Sequence, residues 1–359
     1  MAFSDIPSSP GRGRSDAPQG VPPVAALYRL LNGYLIGRTV QVVAQLGVAD
    51  VLREGPRSTA EIAMTVGAHA PTLYRLLRAL ASVGLFTEVE PDSFALTPVG
   101  DCLRSDVPLS LRALISLFGS DMYLQTFDHF LEAVRTGTSP FEPIFGQSLF
   151  TYLGQHPDIG ALYDEGMINA SSMINPAVLS AYDFSSIRSL VEVGGGQGAL
   201  LVAILHANPA MRGILFDLPR VSERARARID AEGLADRCTV IEGDMFAGVP
   251  EGADAYLIKN VLMDMSDAQV VAVLQNFRQA MSRQGRLVVI DPVIPPDDQS
   301  GDHPAQSSKF LDLVMFLLTE GGRARTREEF QALLAAAGFA LTQVVATPSL
   351  VSIVEGMPT

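Results

Sequence analysis

Three glycines and three carboxylates are spaced in this chain as a nucleoside-binding site would need them. The run Leu190-Val-Glu-Val-Gly-Gly-Gly-Gln-Gly-Ala-Leu200 passes from an apolar stretch containing Glu192 into glycines at 194, 196 and 198. It continues into apolar residues at helical spacing, Leu200, Leu201, Ile204 and Leu205. At a strand-to-helix turn a Cβ would hold a ligand away from the backbone, and glycine removes it. A second apolar stretch, Ile214-Leu-Phe216, ends in Asp217 and then Leu218, so a carboxylate able to accept both hydroxyls of a ribose closes the next strand. The glycine spacing is Gly-x-Gly-x-Gly, not the Gly-x-Gly-x-x-Gly of dinucleotide sites. A pyrophosphate needs the helix N-terminus laid open by the longer spacing; the shorter one suits a ligand whose near end is a zwitterionic amino acid. Further on, Ile241-Glu-Gly-Asp-Met-Phe246 places Asp244, Met245 and Phe246 just after a third apolar strand. Ligands of open α/β sheets bind at the carboxyl ends of the strands. There Asp244 would accept from an adenine amino group, and Met245 would cover the ring. Taken singly, Asp244 is equally well a turn residue after Gly243.

The elements that must carry these residues alternate from about residue 186 onward. Strands are expected at 190–193, 213–217, 238–242, 254–259 and 286–292, with a last pair near 341–345 and 351–354, and helices between them. That pattern is a doubly wound α/β sheet. Upstream the chain is helical. Residues 24–53 carry apolar residues at helical spacing, Ser58-Thr-Ala-Glu61 is a capping-box pattern, and Leu73, Leu76, Leu77 and Leu80 fall on one face of a helix opened by Pro71. A hairpin around Glu90-Pro91 follows. Helix, helix, hairpin is a winged-helix arrangement, so a DNA-binding regulator is the reading from a different class, with Arg75 and Arg78 on its second helix. Residues 109–182 look mostly helical and rich in Phe, Tyr and Met, residue types that build cores and also line clefts for ligands. The expected divisions are a disordered tail over 1–20, a winged-helix domain over 21–108, a helical linker and pocket wall over 109–185, and an α/β domain over 186–359.

Composition narrows the partners. With 26 Lys+Arg against 39 Asp+Glu the formal net charge is -13, which opposes nonspecific attraction to nucleic acid and to anionic membranes. No basic stripe accompanies Arg75 and Arg78, so a helical module that packs against a partner subunit is favoured over DNA binding. The chain is 48% hydrophobic over 359 residues, enough for a large core. It holds no run of about 18 apolar residues of the kind that spans a bilayer. Two distant cysteines, Cys102 and Cys238, argue against a disulfide framework and fit a reducing cytoplasm. The five histidines are scattered without zinc-ligand spacing, so no metal is expected.

The glycine run, Phe216-Asp-Leu-Pro219, Gly243-Asp-Met-Phe246, Tyr256-Leu-Ile-Lys-Asn-Val-Leu-Met-Asp-Met-Ser-Asp267 and Gly321-Gly-Arg-Ala-Arg-Thr-Arg-Glu-Glu-Phe330 occur in an order that resembles the small-molecule, S-adenosylmethionine-dependent O-methyltransferases of the caffeate/hydroxyneurosporene type. The resemblance covers residues 24 to 356. It implies an N-terminal winged-helix module forming an intertwined homodimer, and a Rossmann-like domain with an antiparallel final strand. S-adenosylmethionine would be bound and S-adenosylhomocysteine released, as in bacterial tailoring of antibiotics. By position, Gly194, Gly196 and Gly198 would approach the methionine part, with Glu192 alongside. Asp217 and Leu218 would meet the ribose, Asp244, Met245 and Phe246 the adenine, and Lys259 would lie near the cofactor. Met167, Met263, Phe310, Asp312, Met315 and Phe316 would wall the substrate pocket.

The chain departs from that family at its chemical centre. The family's Leu-His-Asp-Trp is here Leu262-Met263-Asp264-Met265, and a thioether cannot accept a proton near neutral pH. The two glutamates that steady the histidine are replaced by Asp291 and Ala324. Two outcomes follow. Methyl transfer can persist by proximity to a strong electrophile, or the fold can serve a non-methylating reaction, such as hydroxylation with decarboxylation or a pericyclic or dehydrative step. His129, in Thr126-Phe-Asp-His-Phe130, and Asp291 are the candidates for a replacement acid or base, with a surface histidine as the plainer account of His129.

Overall fold

The computed structural model describes residues 22–295 and 303–359; the tail expected over 1–20 lies outside the described residues. The chain opens with α1 (Pro23–Leu46), α2 (Val48–Val51), β1 (Arg57–Ser58), α3 (Thr59–Val66), α4 (Ala70–Ala81), the hairpin β2 (Phe86–Glu90) and β3 (Ser93–Leu96), and α5 (Pro98–Asp101). The capping box at α3 is formed: the Ser58 hydroxyl accepts from the Glu61 amide at 3.3 Å, and the Glu61 carboxylate accepts from the Ser58 amide at 2.8 Å. Leu73, Leu77 and Leu80 of α4 are buried against Val43, Leu52, Ile62, Phe86 and Phe94, giving this region its own core. The hairpin turns at Pro91-Asp92, with Asp92 in the left-handed region at φ 65. By contrast, most of α1 is uncovered: Leu27, Leu30, Leu31 and Tyr34 are each more than 60% exposed.

A helical layer follows: α6 (Arg112–Phe118), α7 (Asp121–Asp128), α8 (Phe130–Thr136), α9 (Phe141–Phe145), α10 (Leu149–Gln155) and α11 (Pro157–Ala181). Then comes the alternating unit: β4 (Ser189–Val193), α12 (Ala199–Ala207), β5 (Arg212–Asp217), α13 (Pro219–Ala231), β6 (Cys238–Glu242), β7 (Ala255–Lys259), α14 (Asp267–Ala280), β8 (Arg286–Asp291) and β9 (Val293–Ile294). It ends with α15 (His303–Leu318), β10 (Arg325–Thr326), α16 (Arg327–Ala336), β11 (Phe339–Ala346) and β12 (Ser352–Pro358).

Seven strands form the main sheet in the order β11-β12-β8-β7-β4-β5-β6. β8, β7, β4, β5 and β6 run parallel, and β12 is antiparallel to both its neighbours. β4 is the switch point: the chain moves out through β5 and β6 on one side, then returns to β7 and β8 on the other. Its carboxyl end, where the glycines stand, therefore opens into the crevice that such sheets use for ligands. Residues alternate between two cores, with Leu190 and Val288 on the α11, α12 and α13 side and Val191, Leu287 and Val289 on the α14 and α16 side. β12 runs on to Pro358, beyond the expected 354. The extension includes a buried Glu355, which breaks the apolar pattern but accepts hydrogen bonds from Tyr182 and Thr342. Among the described residues no helix is long and apolar enough to cross a membrane.

Candidate active site

The glycine run is folded as its composition requires. Gly194, Gly196 and Gly198 have φ values of 68, 59 and 72, a region where a side chain is strained. The Gly194 amide donates to the Phe216 carbonyl at 2.9 Å. The Gly196 amide donates to Asp217 Oδ2 at 2.7 Å, and Oδ1 accepts from the Leu218 amide at 2.7 Å. A Cβ on Gly196 would meet nothing within 4 Å, so this backbone faces open space. At Gly194 a Cβ would lie 3.0 Å from Val261 and 3.5 Å from the Met245 methyl, which places the loops after β4, β6 and β7 around one point. A backbone free of side chains, a strand-end carboxylate and a Met beside them fit a nucleoside bearing an amino acid.

Glu192 plays a different part from the one expected of it. Alternation turns it toward α12, beneath the loop, where it is 1% exposed. Its Oε2 accepts from the Leu201 amide at 3.2 Å while Oε1 has no partner. Burial pushes its carboxyl up to about 7, opposed by the Lys259 charge and the Leu201 amide. Glu192 thus supports the loop from below. Lys259 donates to Ser171 Oγ at 2.8 Å and Asn175 Oδ1 at 3.2 Å, tying β7 to α11. Burial lowers its pKa, and Glu192 works against that.

Asp244 is exposed, and its Oδ1 accepts from the Phe246 amide at 2.9 Å, the turn geometry that the sequence also allowed. Asn276 of α14 donates to the carbonyls of Met245 and Phe246 at 2.8 and 2.9 Å and so fixes this loop. Leu218 and Phe246 expose more than 40% of their area at the same sheet edge.

Elsewhere α6, α7, α9, α10, α11 and α15 gather Leu117, Tyr123, Phe141, Leu153, Met315 and Leu318, with Met167 and, from the loop after β7, Met263 packed against them. Three of the expected wall residues, Met167, Met263 and Met315, therefore meet. Phe310 does not join them: it is 61% exposed, because α15 turns Leu311, Val314, Met315 and Leu318 inward and leaves Phe310 and Leu313 on its outer face. Phe316 is half-buried outside the cluster. Asp312 accepts from the Ala324 amide at 2.9 Å and braces the following loop. His129 is not brought to the wall either. It sits between α7 and α8, exposed, with Nδ1 on the Gln125 carbonyl at 2.9 Å, because α7 buries Met122, Tyr123 and Thr126 instead.

Sequence reasoning missed Asp264, the neighbour of Met263. It lies on the short 3-10 turn Leu262–Asp264, whose shape is set from below by Arg325, itself 1% exposed. Arg325 donates to the carbonyls of Leu262 and Met265 at 2.9 and 2.7 Å and to Asp267 at 2.9 Å. The turn also presses on Gly322, where a Cβ would lie 2.9 Å from the Met263 carbonyl oxygen. Facing this turn is Asp291, fully buried, with both carboxylate oxygens unpartnered. Burial and the charge of Asp291 push Asp264 up to about 8, and burial pushes Asp291 up to about 7. Arg325 opposes the rise at Asp291, as do the amides of Asn260, Val261 and Met263, although none of these amides reaches it in hydrogen-bond geometry. The signal was present in the carboxylate following Met263, but its partner stands on a different strand. Among the described residues no cluster of His, Cys, Asp and Glu could hold a metal.

A mixed sheet with a glycine turn at its switch point, a carboxylate ending the next strand and an apolar helical cluster joined to it is the arrangement of a nucleoside-dependent enzyme acting on small molecules. Residues 28–106 match the O-methyltransferase dimerisation domain and residues 127–340 the O-methyltransferase domain. The phenazine O-methyltransferase of Lysobacter antibioticus is 40% identical over 94% of this chain and 97% of its own length. The solved mitomycin 7-O-methyltransferase superposes with a TM-score of 0.84 at 36% identity, over 93% of this chain and 97% of that one. An O-methyltransferase from neocarzinostatin biosynthesis, solved with S-adenosylmethionine and 2-hydroxy-5-methyl naphthoic acid, gives a TM-score of 0.75 at 32% identity, over 90% and 96% of the two chains. The chain belongs to the O-methyltransferase family, and S-adenosylmethionine is its methyl donor. These relatives are all methyltransferases, so the non-methylating alternative is not favoured.

Proposed function

We propose that this enzyme methylates a hydroxyl of a small, flat aromatic natural product, as an intertwined homodimer in the cytoplasm and without a histidine base. The observation that supports the reading is how the two regions are joined: Asp217 holds the Gly196 turn, Val261 stands against Gly194, and Met263, two residues further on, packs with Tyr123, Met167 and Met315. The naphthoic acid bound by the neocarzinostatin relative supports the substrate class. The exposed apolar side chains of α1 supply the surface that a second copy would cover. The unpaired Cys102 and Cys238 suit a reducing compartment. Nucleic acid is not a partner in this reading, since the net charge of -13 repels it.

S-adenosylmethionine brings an electrophilic methyl group on a sulfonium. The chain's own residues bind and orient. Gly194, Gly196 and Gly198 admit the amino-acid end to the backbone, and Asp217 accepts from the ribose hydroxyls, next to Leu218. Asp244, Met245 and Phe246 take the adenine, while Lys259 and Glu192 brace the floor. The methionines and Tyr123 hold the acceptor ring and keep water out. Positioning alone can remove about 7 to 11 kcal/mol of barrier, whereas a general base contributes about 100- to 10,000-fold. Loss of the imidazole at position 263 therefore leaves most of the catalysis in place.

The test is incubation of the purified protein with methyl-labelled S-adenosylmethionine and a panel of hydroxylated naphthoates, phenazines and quinones. Label in a product, with S-adenosylhomocysteine formed in equal amount and both lost in Asp217→Ala, is the expected result. An aromatic converted while the cofactor stays unconsumed would overturn it.

A further inference from the structure

We propose that Asp264 and Asp291 form a charge-coupled carboxyl pair, one member of which stays protonated, and that this pair accepts the proton of the substrate hydroxyl in place of the imidazole absent at position 263. The proposal rests on the methyl-transfer reading above and adds to it the group that receives the proton.

The geometry carries the argument. Asp291 ends β8 on the side of Leu287 and Val289, so alternation turns its side chain toward the turn that bears Asp264. A carboxylate buried to 1% exposure with neither oxygen hydrogen-bonded is costly to keep ionised and unmatched, and a structure that retains one has a use for it. The side-chain oxygen of Asn260, at φ 53, is a third buried and unpartnered acceptor at the same strand ends. A proton is what such a set of acceptors lacks. Asp264 is less enclosed than Asp291 and follows Met263, which packs into the apolar wall, so it is the member of the pair next to the substrate's place.

Charges facing the pair from the surrounding elements do not neutralise it. From α7, Tyr123 is buried, and the charge of Asp264 adds to the effect of burial in raising its pKa. From β10, Arg325 draws Asp291 down but spends its hydrogen bonds on Leu262, Met265, Arg323 and Asp267. Arg323 is engaged by Asp267 and Glu329, and Asp312 by the Ala324 amide. Two carboxyls that resist simultaneous ionisation release their protons in two separated steps belonging to the pair. Between those steps the pair carries one negative charge and one vacant proton position.

In that state the substrate O–H gives its proton to a carboxylate oxygen of the pair. The oxygen's electron pair forms the new O–CH3 bond, and the pair of the broken S–CH3 bond returns to sulfur, so that one positive charge is discharged and one proton gained by the protein. The proton leaves to solvent before the next turnover.

The test does not depend first on a substrate. Infrared difference spectra of the purified protein, uniformly 13C-labelled at aspartate, are recorded across pH 5 to 9. A protonated aspartate persisting at pH 7, and titrating at lower pH in both Asp264→Asn and Asp291→Asn, is expected; an aspartate population fully ionised by pH 6 overturns the pair. If Asp264→Asn does not fold, Asp264→Glu must move the signal. The second measurement follows methyl transfer to whichever panel phenols are turned over. Asp264→Asn should slow weakly acidic phenols by about 100-fold or more and leave phenols already ionised at the assay pH little affected, while equal slowing of both sets overturns the proton-accepting role. A protein that shows the persistent proton but methylates no panel member counts against the proposed function and leaves the pair standing.

Discussion

The Gly196 amide is held by Asp217 Oδ2 at 2.7 Å, so the carboxylate proposed to receive a ribose also shapes the glycine turn that faces it. Hydrogen bonds to charged groups are each worth about 1.5–3 kcal/mol. Asp217→Ala should therefore weaken S-adenosylmethionine binding by about 100-fold or more in titration calorimetry. An unchanged affinity would place the ribose elsewhere.

Gly195 and Gly196 should fail in opposite ways when changed to alanine. At Gly196 the added methyl has room, but the left-handed backbone costs about 1–2 kcal/mol, and the methyl projects into the ligand's approach. Cofactor affinity should fall sharply, with a small drop in Tm. At Gly195 the methyl would stand 2.5 Å from the Glu192 carboxyl carbon, so the fold itself should suffer and Tm should fall by several degrees. Thermal denaturation paired with calorimetry separates the two, and equal behaviour would contradict it.

Glu192 should make the protein's stability depend on pH. Its folded pKa, about 7, lies above its ordinary value of 4.5, so its stabilising contribution is complete below the ordinary value and is lost as pH rises through the folded one. Glu192→Gln should match the native protein near pH 4.5 and exceed it above pH 7, by on the order of 1–3 kcal/mol. Denaturant unfolding at the two pH values tests this. A variant weaker at both would show that the ionised carboxylate is needed by the fold.

Assembly should depend on α1. Leu30→Glu or Tyr34→Glu places a charge on a face already turned to solvent in the single chain, so the individual fold should survive while sedimentation shifts from dimer to monomer. A dimer that persists in both variants would move the interface to another surface.

Much of this architecture was legible because glycines and acidic strand ends punctuate it. Val193 to Gly198, Phe216-Asp217 and Gly243-Asp244 mark three consecutive strand ends, and the structure brings all three to one edge. What the sequence hid was phase and long-range pairing. His129 falls in the break between α7 and α8, where helical periodicity no longer says which way a residue points. Phe310 shares α15 with Met315 but not its inward face. Glu192 was grouped with the glycines it adjoins, although strand alternation sends it underneath them. Asp264 was passed over because position 263 drew attention as the place of a lost histidine; the significance of the next residue depends on Asp291, on a strand separated from it by α14.

The 25 residues of α11 run from the helical layer to the sheet. Gly166 lets it lie against the backbone of Leu114 in α6, Met167 faces the apolar wall, and Ser171 and Asn175 receive Lys259 from the sheet. Ile174 and Val178 then enter the core beneath the glycine turn. At about 1.5 Å of rise per residue the helix is nearly 40 Å long, and Pro176 interrupts its backbone hydrogen bonds toward the sheet end. The helix therefore links the region proposed for the cofactor with that proposed for the acceptor and, through α6 and its contact with α1, with the surface where a second copy would dock. The regions proposed for binding and for pairing of two chains thus share one helix.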